Sequence, residues 1–189
     1  MKILLGAAAI VALALAGAVS AQTPPAKPST PLPTQPLATC SGPEYRAFDF
    51  WIGEWDAYEA AAPHSLAGRS SIAREDNGCV ISEHWIDAET AGYSGHSLNL
   101  YDRASHNWEQ FWVDSTGEVT HFVGGPFESG MRLTDPANHV GARPSPVQSR
   151  MTFTPLPDGS VRQHGQVSLD NGATWRERYD YIYRRHPGS

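Results

Sequence analysis

From Cys40 onward the chain alternates apolar and polar residues in short runs, broken by turn residues about every ten positions. Alternation sends successive side chains to opposite faces of a strand, whereas the helical spacing of apolar residues is nearly absent. The pattern predicts strands near Glu54–Ala60, Gly68–Glu75, Cys79–Asp87, Tyr93–Asp102 and Asn107–Asp114. Five more are predicted near Glu118–Val123, Phe127–Thr134, Ser149–Pro155, Ser160–Ser168 and Thr174–Arg184. Asp76-Asn77-Gly78, Ser115-Thr116-Gly117, Pro157-Asp158-Gly159 and Asp170-Asn171-Gly172 carry hairpin chemistry, because Gly and Asn tolerate positive φ. Strands joined by such turns are antiparallel neighbours. A meander of this length exposes two sheet edges unless it closes, so the expected fold is all-β, an antiparallel up-and-down β-barrel of about 8–10 strands. A two-sheet sandwich is the alternative. The stretch from Asp135 to Val147 has three prolines and no strand pattern, and is a candidate lid over a barrel mouth.

The N-terminus is organised differently. Lys2 precedes an Ala/Leu-rich run from Ile3 to Val19, and Val19-Ser20-Ala21 supplies the small residues a signal peptidase requires. Residues 1–21 therefore read as a secretory signal, which directs the mature chain to the periplasm or beyond; a retained anchor is the alternative. Residues 22–39 are rich in Pro, Thr and Ser and too poor in large apolar residues to fold, so the barrel domain is expected over residues 40–186. In an oxidising compartment the two cysteines, Cys40 and Cys79, are expected to form one disulfide. The net charge of −6 and the absence of a basic patch argue against a nucleic-acid partner. Nothing calls for a membrane partner once the signal is removed.

Phe48-Asp49-Phe50-Trp51-Ile52-Gly53-Glu54-Trp55-Asp56 carries more aromatics than one strand face can hold. A short helical turn would let Phe48 and Trp51 plug the bottom of the barrel, with Gly53 allowing the chain to turn and Trp55 entering the interior. Gly53-Glu54-Trp55 resembles the G-x-W element that opens the first strand of lipocalin-like (calycin) barrels. The longer run, with Trp108-x-Gln110-x-Trp112-x-Asp114 and Ser168-x-Asp170-x-Gly172-x-Thr174-Trp175, is similar to a family of secreted bacterial proteins of uncharacterised function with such a barrel. The resemblance implies an arginine from a late strand packed on the G-x-W tryptophan, a place for Arg184 or Arg178.

The segment from Ser168 to Trp175 also matches the Asp-box of sialidase propellers. A single box in a chain this short reads as a hairpin staple rather than a catalytic site. No H-x-H or H-E-x-x-H spacing occurs among the eight histidines, so neither a metal nor a haem cofactor is expected. No nucleophile elbow is present. Glu83, Glu109 and Asp114 lie beside aromatics and would suit acid–base work only if desolvated.

Three strand faces mix large aromatics with single amides and carboxylates. They are Ile81, Glu83, Trp85 and Asp87; Trp108, Gln110, Trp112 and Asp114; and Trp175, Glu177, Tyr179, Tyr181 and Tyr183. Such faces suit an interior that holds a small amphipathic ligand, with Trp85, Gln110, Trp112, Gln163 and Tyr181 as the lining. Two other readings remain. One is a barrel enzyme using Glu83 or His121 beneath the Asp135–Val147 loop; the other is a structural or envelope protein with a filled core.

Overall fold

A computed structural model describes residues 39–135 and 147–188. Ten strands follow in order: β1 Gly53–Glu59, β2 Ala62–Glu75, β3 Val80–Asp87, β4 Ser94–Asp102, β5 Asn107–Asp114, β6 Val119–Phe127, β7 Gly130–Thr134, β8 Gln148–Pro155, β9 Val161–Ser168 and β10 Arg176–Arg185. Each pairs antiparallel with its sequence neighbours, and β1 pairs with β10, so the meander closes into an up-and-down barrel with no free edge. The turns form where Gly and Asn occur: Asn77 and Gly78 take φ 56° and 84°, and Asn171 and Gly172 take 56° and 85°.

Two boundaries differ from the alternation pattern. Gly124-Gly125-Pro126 looks like a break, yet β6 continues through Phe127 and the hairpin turns at Glu128, φ 51°. Pro126 sits opposite Met131 inside the ladder. β2 starts at Ala62 rather than Gly68, because the register with β1 slips at Tyr58 and lets the hairpin extend.

One end of the barrel is plugged by the aromatic run. Pro43–Arg46 and Asp49–Trp51 form 3-10 turns that carry Phe48 and Trp51 under the strands, where both are fully buried. Phe48 stacks on Trp51 with centroids 4.9 Å apart and meets Phe153 and Trp108 edge-on at 4.9 and 5.7 Å. Two of the buried indole N–H groups find backbone acceptors, Trp55 donating to the Trp51 carbonyl at 2.8 Å and Trp108 to the Glu44 carbonyl at 3.1 Å, whereas the buried Trp51 indole has none among the described residues. Cys40 and Cys79 form the expected disulfide, which ties the chain ahead of the plug to the β2–β3 corner.

Gly53 opens β1 with φ 146°, and a β-carbon there would collide with the Arg185 guanidinium. Arg185 lies over the Trp55 ring, 3.9 Å from its centroid, and donates to the Ile52 carbonyl at 2.8 Å. The partner of the G-x-W tryptophan is therefore Arg185, not Arg184 or Arg178. Strand register decides this, since Arg185 stands directly opposite Trp55. Arg184 faces Asp56 and covers Tyr58 instead, and Arg178 lies at the far end of β10. Among the described residues no helix is long and apolar enough to cross a membrane.

Candidate functional site

Among the described residues the end of the barrel opposite the plug is open. Between them lies a cavity of about 300 Å³, within the range of about 300–1,000 Å³ common for small-molecule sites. Trp85, Gln110, Trp112, Gln163 and Tyr181 all line it, together with Glu83, Asp87, Asp114 and Arg178.

The lumen stays open because large rings fold flat against the wall. Trp85 covers Gly68, Trp112 covers Gly95 and Tyr179 covers Gly165; a β-carbon on any of these glycines would strike the ring. Tyr181 stacks between two others, 5.7 Å and 12° from Trp85 and 4.9 Å and 19° from Tyr179. Gln163 fastens the floor, accepting from the Tyr183 hydroxyl at 2.5 Å and donating to the Tyr179 hydroxyl at 3.2 Å.

A chain of hydrogen bonds runs round the wall to Glu83. Gln110 donates to Asn99 at 2.7 Å, and Asn99 donates to the Ser97 hydroxyl at 2.9 Å. Ser97 and Ser70 each donate to one oxygen of Glu83, at 2.8 and 2.9 Å. Burial pushes the Glu83 carboxyl up to about 7, against the opposing pull of these two hydroxyls. Burial also pushes the Tyr181 phenol up to about 12, reinforced by the nearby carboxylates of Glu59, Asp87 and Glu89.

At the mouth, Asp114 accepts from the Tyr93 hydroxyl at 3.2 Å, the Trp112 indole at 3.3 Å and the Thr116 hydroxyl at 2.6 Å. Burial opposes its ionisation, but these donors and the turn amides outweigh it and hold the carboxyl below its ordinary value. Asp114 is thus an anion at neutral pH.

Other residues singled out from the sequence lie apart from the cavity. Glu109 and His121 bond to each other at 3.0 Å, neither lines the cavity, and His121 stacks on the exposed Phe111; Glu83 and His121 do not share a site. His84 and His96 stack on each other, with centroids 4.3 Å apart, and also stand outside the lining. The Asp-box is a hairpin staple: the Thr174 amide and hydroxyl donate to Asp170 at 2.8 and 2.6 Å, and Trp175 donates to the Gly172 carbonyl at 3.0 Å. Those bonds from Thr174, with one from Ser168, draw the Asp170 carboxyl down to about 2. Residues 136–146 of the expected lid lie outside the described residues. Among the described residues no three His, Cys, Asp or Glu side chains gather as a metal site would need.

The face assigned to β10 needs correction. A register shift between Glu177 and Tyr179 inserts Arg178 as an extra residue, so Glu177 does not share the inward face of Tyr179, Tyr181 and Tyr183. Glu177 instead meets His164 at 3.2 Å, while Arg178 reaches the cavity mouth. The sequence reading missed Ser70, Ser97 and Asn99 as well. The alternation on β4 pointed the other way, since Leu98 and Leu100 would face inward by the usual rule, whereas Leu98 is 51% exposed and Ser97 and Asn99 are buried.

The chain matches no family model and no curated protein. Over the described residues, fold and cavity together define a closed ten-stranded β-barrel, plugged at one end and open at the other.

Proposed function

We propose that this chain is a secreted, lipocalin-like barrel that binds a small amphipathic molecule in its lumen, in the periplasm or outside the cell. The cavity carries the proposal: its rings lie flat against the wall over glycines and so preserve a space that Trp and Tyr side chains otherwise fill. Apolar ring faces with a few fixed polar groups suit a ligand of mixed character. The disulfide and the signal-like N-terminus support export. The G-x-W tryptophan with its arginine supports the lipocalin-like reading.

The test is native mass spectrometry of protein recovered from a periplasm, followed by calorimetric titration of the molecule it carries. Trp112→Ala is expected to weaken binding by about tenfold or more with the fold intact. An adduct whose affinity ignores Trp112 counts against the lumen as its site. A barrel enzyme is the second reading, favoured by one observation: Glu83 is buried at the cavity with a carboxyl poised to exchange a proton near neutral pH. Turnover of a lumen-bound molecule that Glu83→Gln abolishes would mark that activity.

A further inference from the structure

The charges around the cavity are one-sided. Glu83, Asp87, Asp114 and Glu118 line it against Arg178, the one cationic side chain among the described lining residues. Glu59 and Glu89 lie close enough to add to the negative field at Tyr181. Lysine is absent beyond Lys27, so no flexible ammonium from the barrel itself can reach in and neutralise these groups.

Glu83 is the most telling member. It is 6% exposed, and the two side chains that donate to it, Ser70 and Ser97, are neutral hydroxyls. A carboxylate has about four acceptor sites, so two are left on a group facing the cavity. Leaving a buried carboxylate without a counter-charge is costly, and the fold nonetheless holds it in position through the Gln110–Asn99–Ser97 chain. Trp112, flat over Gly95, presents the negative face of its π-system to the lumen, and such a face attracts cations and gives no preference to anions, while Trp85 and Tyr181, stacked on each other, add apolar wall.

Resting on the reading of the cavity as a ligand site, we infer that its ligand is a small organic amine, bound as an ammonium ion whose N–H groups bond Glu83 while its apolar body lies against Trp85, Trp112 and Tyr181. An ammonium supplies three donors for the free acceptor sites of Glu83. A fatty acid or other carboxylate would meet Glu83 and the mouth acids with the same sign of charge, and, among the described lining residues, only the exposed Arg178 in its favour. The volume of about 300 Å³ limits the amine to a compact body such as one aromatic ring with a short chain.

The experiment is calorimetric titration of the purified chain with three probes of nearly equal shape: phenethylamine, phenethyl alcohol and hydrocinnamate. It is run at mildly alkaline pH, where Glu83 and the amine are both charged. Phenethylamine is expected to bind at least about tenfold more tightly than the other two, and Glu83→Gln to erase that preference. Arg178→Gln, at an exposed position, is expected to tighten the amine and weaken hydrocinnamate by about twofold or more. This sign reversal remains readable if Glu83→Gln does not fold. Alcohol or hydrocinnamate binding as tightly as the amine overturns the inference and leaves the cavity as a binding site. So does an amine affinity that falls in Arg178→Gln. Failure of all three probes to bind overturns both.

Discussion

The indole of Trp112 occupies the space that a β-carbon on Gly95 would fill. The two residues are on adjacent strands, and the missing side chain of one lets the other lie flat instead of projecting into the lumen. Gly95→Ala must therefore lift the indole into the cavity. Overpacking of this kind costs about 1–3 kcal/mol, and here it takes volume from the ligand as well. Probe affinity is expected to fall by about tenfold while circular dichroism still reports a folded barrel. Gly125→Ala, which meets open space, is the control and is expected to bind normally. Equal affinities in the two variants would mean that the flat indole does not hold the lumen open.

Glu83 makes stability depend on pH in an unusual direction. The unfolded chain releases its proton near 4.5, whereas the folded chain holds it up to about 7. Between those values the folded state binds more protons, so this group's contribution to stability falls as pH rises and is lowest above the folded value. The loss is on the order of 3 kcal/mol, at about 1.4 kcal/mol for each unit of pKa. Urea unfolding on both sides of this window measures it. The gap between wild type and Glu83→Gln should shift in favour of the variant as the pH rises. A gap that does not change with pH would show that Glu83 titrates normally.

Arg185 closes the plugged end by covering Trp55. Arg185→Ala removes both the cation–π contact, worth about 0.5–2 kcal/mol, and the hydrogen bond to the Ile52 carbonyl. The expected result is a melting temperature lower by several degrees, at about 2–4 °C per kcal/mol for a chain of this size. Arg184→Ala removes a longer contact over the half-buried Tyr58, 4.9 Å from its centroid, and a hydrogen bond to the Pro63 carbonyl, and should change it less because no fully buried ring is uncovered. Similar losses in both variants would contradict the special place of Arg185.

The class of fold was legible because alternation and turn chemistry are local. Asn77-Gly78 and Asn171-Gly172 specify their hairpins through backbone preferences that need no tertiary partner. Strands linked by such hairpins have little choice but to meander. The same local pattern placed Trp85, Gln110, Trp112 and Tyr181 on faces mixing rings with polar groups, and all four meet at the cavity together with Gln163. The disulfide followed from the presence of two cysteines behind a signal-like N-terminal sequence.

What the sequence by itself determined, then, was an antiparallel meander with two distinct faces on each strand; the pairing of β1 with β10 settled a closed barrel over the sandwich. Only the tertiary structure decided which face points inward and which residues stand opposite one another. On β4 the inward side carries Ser97 and Asn99 while Leu98 faces out, the reverse of the usual rule, because these polar groups are satisfied by Glu83 and Gln110 on other strands. The choice of Arg185 over Arg184 rests on a one-residue difference in register between strands more than a hundred residues apart in the chain. The bulge that takes Arg178 to the mouth has the same origin. Alternation has a period of two and carries no memory of its partner strand, so phase, register and bulges are set by packing across the barrel.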